Sequence, residues 1–196
     1  MSPQTFLFFG RSGCGKGTQA ELLQKYLKEK DPNSEIFYLG TGEYFRQFIK
    51  GEGYSNKLAN KIYQNGDRQP DFLAIWMWGN IILEKFKGTE HLFFDGITRS
   101  LPEATIFTTA LQFYDRKATV IHIDVSREWS KERLMERKRL DDKDPKEVEK
   151  RLDWFDKESA SAIGYFEVND RYRVISIDGQ RTIEEIHSDL ISKIGF

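Results

Sequence analysis

The chain has 196 residues, 39% of them hydrophobic, which suits one globular domain with a substantial core. Thirty lysines and arginines stand against 31 aspartates and glutamates, and a formal charge of −1 argues against a broad polyanion-binding surface and against nucleic acid as a partner. Cys14 is the only cysteine, which excludes an intrachain disulfide and a cysteine-rich zinc site and fits a reducing compartment.

The first element is the apolar run Phe6–Phe9, which reads as a strand. It has no basic flank and is too short for a signal peptide or a membrane span, so a cytoplasmic protein without membrane contact is expected. A glycine-rich segment from Gly10 to Thr18 follows, and then a helix with Leu22, Leu23, Tyr26 and Leu27 on its apolar side. Ile36–Leu39 is the second strand. Thr41 to Asn65 is helical in pattern without a strand of its own, which makes it a candidate insertion above the sheet. Leu92–Phe94 is the third strand, followed by a helical face of Ile106, Phe107, Ala110, Leu111 and Tyr114. Thr119–Val125 is the fourth, followed by Val148, Leu152, Phe155, Ile163 and Phe166 at helical spacing. Val174–Ile177 is the fifth, and Ile183, Ile186, Leu190, Ile191 and Ile194 form the last helical face. Strands that are nearly continuously apolar, alternating with helices, predict an α/β fold whose five-stranded parallel sheet is covered on both faces. Ligands of such folds bind at the strand carboxyl ends.

The segment Gly10-Arg11-Ser12-Gly13-Cys14-Gly15-Lys16-Gly17-Thr18 is a Walker A loop with one departure, Gly17 between the lysine and the hydroxyl residue. Its glycines let backbone N–H groups converge on phosphate oxygens, and the helix N-terminus adds partial positive charge. Lys16 then reaches the outer phosphates of ATP or GTP, with Thr18 near the metal or the phosphates.

The run Gly15-Lys16-Gly17-Thr18-Gln19 resembles the adenylate kinase family of P-loop kinases, and the likeness continues over nearly the whole chain. Thr41-Gly42-Glu43-Tyr44-Phe45-Arg46 is similar to the family's Thr-Gly-Asp-x-x-Arg segment, and Gly66-Asp67-Arg68-Gln69-Pro70-Asp71 to its Gly-x-x-Val-Pro-Asp segment. Phe94-Asp95-Gly96-Ile97-Thr98-Arg99, continuing to Glu103-Ala104, is similar to its Asp-Gly-x-Pro-Arg…Gln-Ala segment. Arg133, Arg137, Arg139-Leu140-Asp141-Asp142 and Arg151-Leu152 resemble the arginine series around the lid. Asp178-Gly179-Gln180-Arg181 resembles the late loop that touches the ATP base.

The resemblance implies a P-loop kinase domain over residues 1–196, with a monophosphate-binding insertion at about 40–69 and a reduced lid at about 136–142. It implies transfer of the terminal phosphoryl group of magnesium-ATP to AMP, with Lys16, Arg46, Arg99, Arg137, Arg139 and Arg151 as the catalytic set. ATP falls to Gly13, Cys14, Gly15, Lys16, Gly17, Thr18, Arg133, Arg137 and Arg181. AMP falls to Thr41, Arg46, Asp67, Arg68, Gln69, Gly96, Arg99, Glu103, Arg139 and Arg151. Asp95, at the end of the third strand, would hold magnesium through water; zinc is not expected, and the protein is expected to be a monomer. The chemistry suits arginines, because two polyanions must be brought together and a planar guanidinium binds phosphate bidentately at any working pH. No general base is needed, since the nucleophile is already a phosphate oxygen with a second pKa of about 6. His91, His122 and His187 have no partner motif and are assigned no role.

Four departures from the family pattern bear on this reading. Only Lys138 separates Arg137 from Arg139, so the lid is minimal and both arginines reach phosphate only if the helix breaks near Lys138. A short lid excludes water poorly, and ATP hydrolysis alongside transfer is expected. Glu103 stands where the family has a base-reading glutamine; an ionised carboxylate only accepts hydrogen bonds, which suits guanine's N1–H and N2–H₂ better than adenine's N1. Thr98 replaces a proline beside Arg99, and Gln69 replaces an apolar residue. AMP is the favoured acceptor because Thr41 and its segment follow adenylate kinases. A kinase for another nucleoside monophosphate, GMP first, and a non-catalytic nucleotide-binding regulator are the alternatives. A GTPase switch is excluded, since Asn56-Lys57 and Asn60-Lys61 lack the aspartate of the Asn-Lys-x-Asp base reader.

Overall fold

All five residues of Thr5–Phe9 (β1) are buried, as a strand covered on both faces requires. In the computed structural model, which describes residues 2–137 and 144–196, β1 is the central strand of a five-stranded sheet. The other strands are Ile36–Gly40 (β2), His91–Asp95 (β3), Ala118–Asp124 (β4) and Tyr172–Asp178 (β5), in the order β2-β3-β1-β4-β5. Every pairing is parallel, with Phe6 beside both Phe93 and Thr119. The expected parallel sheet is therefore found. β5 begins two residues earlier than its apolar run, because Tyr172 and Arg173 pair with Ala118 and Thr119 of β4; Tyr172 also packs its ring on Phe166 at 4.6 Å and shares a hydroxyl hydrogen bond with Thr108.

Alternation along β1 sends its side chains to two cores. Phe6 and Phe8 meet Leu23 and Leu27 of Lys16–Lys30 (α1) and Ile186 and Leu190 of Ile183–Ile194 (α9). Leu7 and Phe9 face the opposite layer. There Asp71–Lys85 (α4) supplies Trp78 and Ile81, Leu101–Phe113 (α5) supplies Phe107, and Ala160–Val168 (α8) supplies Phe166. The crossovers from β1 to β2 and from β3 to β4 leave in opposite directions, so a crevice opens at the carboxyl ends of β1 and β3.

Three features depart from the simple periodic reading. The helical stretch Thr41 to Asn65 is two helices, Thr41–Phe48 (α2) and Tyr54–Gln64 (α3), broken at Gly51-Glu52-Gly53 and tied by the Asn56 amide donating to the Phe48 carbonyl at 2.7 Å. α4 has no visible helical stripe because it is apolar all round: Phe72, Trp76 and Leu83 stay exposed while Met77, Trp78 and Ile82 are buried. The face from Val148 to Phe166 is not one helix. Pro145–Trp154 (α7) passes into a π-helical turn, Phe155–Ser159, before α8 begins. Arg127–Arg137 (α6) packs on α7 through a small separate cluster of Leu134, Val148 and Leu152. Among the described residues no helix is long and apolar enough to cross a membrane.

Candidate active site

The glycine-rich loop turns directly from β1 into α1. Gly15 caps α1 from the left-handed region, with φ 94°, a conformation that glycine adopts without a Cβ clash. Lys16 folds back over the loop, its Nζ donating to the carbonyls of Gly10 at 2.8 Å and Arg11 at 2.9 Å. Cys14 is buried beneath it. Burial pushes the thiol's pKa up, with the nearby Lys16 charge opposing, so this cysteine is a packing residue. The loop is braced from behind: Ser130 of α6 donates its hydroxyl to the Ser12 carbonyl, and Arg11 donates to the Val125 carbonyl at 2.8 Å.

A cavity of about 690 Å³ opens in front of this loop. Gly13, Gly15, Lys16, Gly17 and Thr18 form one wall; Thr41, Arg46, Asp67, Arg68 and Gln69 form a second. Asp95, Gly96, Arg99 and Glu103, from the end of β3 and the start of α5, form the floor. Arg133 and Arg137 of α6 and Arg151 of α7 close the third side. Most of the residues singled out from the sequence are thus brought to one cavity. Cys14 is not on its surface. Arg181 is outside it too, its guanidinium on Asp189 at 2.6 Å with the Asp178 carbonyl at 3.1 Å. Arg139, with the rest of the segment 138–143, lies outside the described residues.

The floor is built around Gly96. Its carbonyl accepts from the Thr41 hydroxyl at 2.7 Å and from the Arg99 Nε at 2.8 Å, which fixes both side chains to the end of β3. Ser159, presented by the π-helical turn, donates to the Arg99 carbonyl at 2.8 Å. Arg46 pairs along α2 with Glu43 at 2.9 Å, and that hydrogen bond is the main cause holding the Glu43 carboxyl below its ordinary pKa. Asp95 accepts from the Tyr38 hydroxyl at 3.3 Å, and a Cβ placed on Gly17 would sit 3.6 Å from its Oδ2. A single carboxylate facing a phosphate loop suits magnesium, which keeps most of its water and is otherwise held by phosphate oxygens. Among the described residues no group of three or more metal-ligating side chains exists.

Glu103 has an unusual environment for a carboxylate. Ser100 caps α5 by accepting from the Glu103 backbone N–H at 3.2 Å, which places Glu103 in the first turn with its side chain 2% exposed. There Arg68 donates from Nη1 to Glu103 Oε1 at 3.1 Å and to Asp71 Oδ1 at 2.7 Å, while its Nε pairs with Glu158 at 2.8 Å. Burial is the largest influence on Glu103 and pushes its pKa up, against the charges of Arg99 and Arg68. For Arg68 burial acts against the charge, but its hydrogen bond to Asp71 and the neighbouring carboxylates prevail and raise its pKa. Gln69 turns its amide to the Ala59 carbonyl at 2.8 Å, leaving its buried Oε1 without a partner among the described residues.

Several contributors escape sequence reasoning. Tyr38 sits on a strand, where it reads as ordinary structure, and Asp71 ends the Gly66–Asp71 segment with no role of its own assigned. Glu158 and Ser159 reach the floor only because the π-helical turn rotates them there; no periodicity signals this. Ser100 carries a signal, since serine followed three residues later by glutamate marks a helix start.

A family model described as "Adenylate kinase" matches residues 8–171. The adenylate kinase of Flavobacterium psychrophilum is 33% identical over 185 residues, covering 92% of each chain. That of Flavobacterium johnsoniae is 31% identical over 193 residues, covering 96% of each. Adenylate kinase 1 of a Nostoc species is 27% identical over 190 residues, covering 96% of this chain and 97% of its own. With a P-loop opening a parallel sheet and arginines from three helices and two loops converging on one cavity, this chain belongs to the adenylate kinase family.

Proposed function

We propose that the protein reversibly transfers the terminal phosphoryl group of magnesium-ATP to AMP, giving two ADP, as a monomer in the cytoplasm. The observation that carries this is the single cavity lined by Lys16 and Thr18 on one side and by Arg46, Arg99, Arg133, Arg137 and Arg151 on the others. The loop with Arg133 and Arg137 suits one phosphate chain; a second anion facing it suits Arg46, Arg99 and Arg151.

In this reading Gly13, Gly15, Gly17 and Thr18 cradle the ATP phosphates through backbone N–H groups, and Lys16 leaves its carbonyls for the outer phosphates. Arg46 and Arg99 fix the AMP phosphate, Arg137 joins Lys16 on ATP, and Arg151 sits around both phosphate chains. Thr41, Gly96, Arg68, Gln69 and Glu103 form the nucleoside side of the AMP site. The segment at about 40–69 is the AMP-binding insertion, and that at about 136–142, with Arg139, the reduced lid. Asp95 would hold magnesium through water, and the ion would supply neutralisation of charge on the ATP phosphates. Catalysis is then positioning plus charge stabilisation, with no proton to remove from the nucleophile.

The test is a coupled assay of ATP with AMP, GMP, CMP and UMP in parallel. AMP is expected to be turned over best. A preference for GMP would overturn the acceptor, and transfer to none of the four would overturn the enzymatic reading.

A further inference from the structure

A glutamine amide reads adenine by accepting from the 6-amino group while donating to N1. Glu103 in its ionised form offers only the first half. A lone carboxylate at this position faces N1 with a lone pair, and suits the two adjacent donors of guanine instead. The structure supplies a second group at the same spot. Arg68 is bonded to Glu103 Oε1 at 3.1 Å, and both side chains line the cavity. The bonds of Arg68 to Asp71, Glu103 and Glu158 use Nη1 and Nε, so Nη2 has no acceptor among the described residues. A carboxylate oxygen still has acceptor capacity after one bond, and a guanidinium offers five donors in a fixed plane.

We infer that Arg68 and Glu103 together replace the base-reading amide, Glu103 accepting from the adenine 6-amino group and Arg68 Nη2 donating to N1. This rests on AMP being the acceptor. The order of the two groups decides the base, because a donor facing the 6-position and an acceptor facing N1 would read guanine. Asp71, on the same Nη1 as Glu103, and Glu158, on Nε, hold the guanidinium plane at 2.7 and 2.8 Å, so the donor is positioned before any base arrives. Arg68 thereby becomes a specificity determinant, and the Glu103 substitution is compatible with adenine because Arg68 accompanies it.

The experiment measures kcat/KM for AMP, GMP and 1-deaza-AMP, in which N1 is a C–H, in wild type, Arg68→Met, Glu103→Gln and the double variant. Wild type should lose at least tenfold on 1-deaza-AMP. Arg68→Met should lower the AMP-to-GMP ratio at least tenfold and abolish the discrimination against 1-deaza-AMP. Adding Glu103→Gln to Arg68→Met should restore the ratio to within about threefold of wild type, since an amide again supplies both groups. A purely structural Arg68 would lower AMP and GMP rates equally and show no rescue. Equal use of AMP and 1-deaza-AMP by wild type overturns the inference without needing any variant to fold. So does an AMP preference that fades between pH 6 and 8.5, which would make Glu103 the donor as a carboxylic acid. Calorimetric binding of AMP and 1-deaza-AMP to the same proteins decides the point even if no transfer is found, which separates failure of this inference from failure of the enzymatic reading.

Discussion

Arg11, in the phosphate loop, donates to Asp156, in the π-helical turn, at 2.7 Å, and the same carboxylate accepts from Arg127 of α6 at 2.7 Å. Residues separated by 145 positions are thus joined through one side chain, with the Arg11 guanidinium also lying over the Phe155 ring at 4.8 Å. Asp156 links three segments around the cavity. Burial works against its charge, but the hydrogen bonds from Arg127 and Arg11 prevail and hold its pKa below the ordinary 3.8.

Asp156→Asn is therefore expected to destabilise the protein by about 1–2 kcal/mol at pH 7, the side chain's partial exposure reducing the value of charged hydrogen bonds. A carboxyl with a depressed folded-state pKa contributes its stability above the unfolded value, and loses it as pH falls through the folded value. The gap between wild type and Asp156→Asn should hold constant from pH 7 to 5 and close below the ordinary 3.8. Urea midpoints measured across that range check it; a gap independent of pH would refute the assignment.

Lys16 bonds two carbonyls of its own loop, so its removal is expected to have a structural consequence, to which the proposed role adds a catalytic one. Lys16→Met should fold with stability lower by about 1–2 kcal/mol, for two lost hydrogen bonds. Its kcat should fall by about 10² to 10³ or more, as expected when a donor to developing phosphate charge is removed. Thermal melts and initial rates on the same samples separate the two effects, and a kcat within tenfold of wild type would count against the role given to Lys16.

The sheet and its loop are legible because their signals are local. Phe6–Phe9 is apolar on both faces, and Gly10 to Thr18 carries its meaning in spacing alone. The helical stretch from Thr41 to Asn65 is legible in outline, but its division at Gly51-Glu52-Gly53 depends on how Asn56 reaches back to Phe48. α4 is obscured by having apolar residues on every side, so that exposed Phe72 and buried Trp78 look alike in sequence. The floor is the least legible part. Glu103 alone reads as a mismatch with adenine, and only the fold brings Arg68 to it across 35 residues. The π-helical turn adds Glu158 and Ser159 by shifting register within a segment whose periodicity looks continuous.

Gly96 has φ 77°, and a Cβ there would lie 2.7 Å from Arg99 Nη2 and 3.2 Å from Thr41 Oγ1. Gly96→Ala should cost about 1 kcal/mol or more from backbone strain. The displaced Arg99 should raise KM for AMP about tenfold, since a small misplacement of a positioning group is costly. KM for ATP should stay within twofold, because the loop that holds ATP does not touch this Cβ. Equal increases for both substrates would show general damage in place of a local one.

Thr98 adopts φ 58°, in the left-handed region that β-branched residues avoid, while its side chain is fully buried and its hydroxyl bonds the Ile97 carbonyl at 2.7 Å. A proline at this position, as the family pattern has it, requires φ near about −65° and cannot occupy this backbone. Thr98→Pro is thus expected to destabilise by about 3 kcal/mol or more and to lower kcat/KM for AMP through the adjoining Arg99. Thr98→Gly should remain within about 1 kcal/mol of wild type, because relief of left-handed strain offsets the lost packing and the freer unfolded chain. Chemical denaturation of both variants distinguishes the cases. A Thr98→Pro protein as stable and active as wild type would mean that the backbone before Arg99 is not fixed in the left-handed conformation, and that the aim of Arg99 does not depend on it.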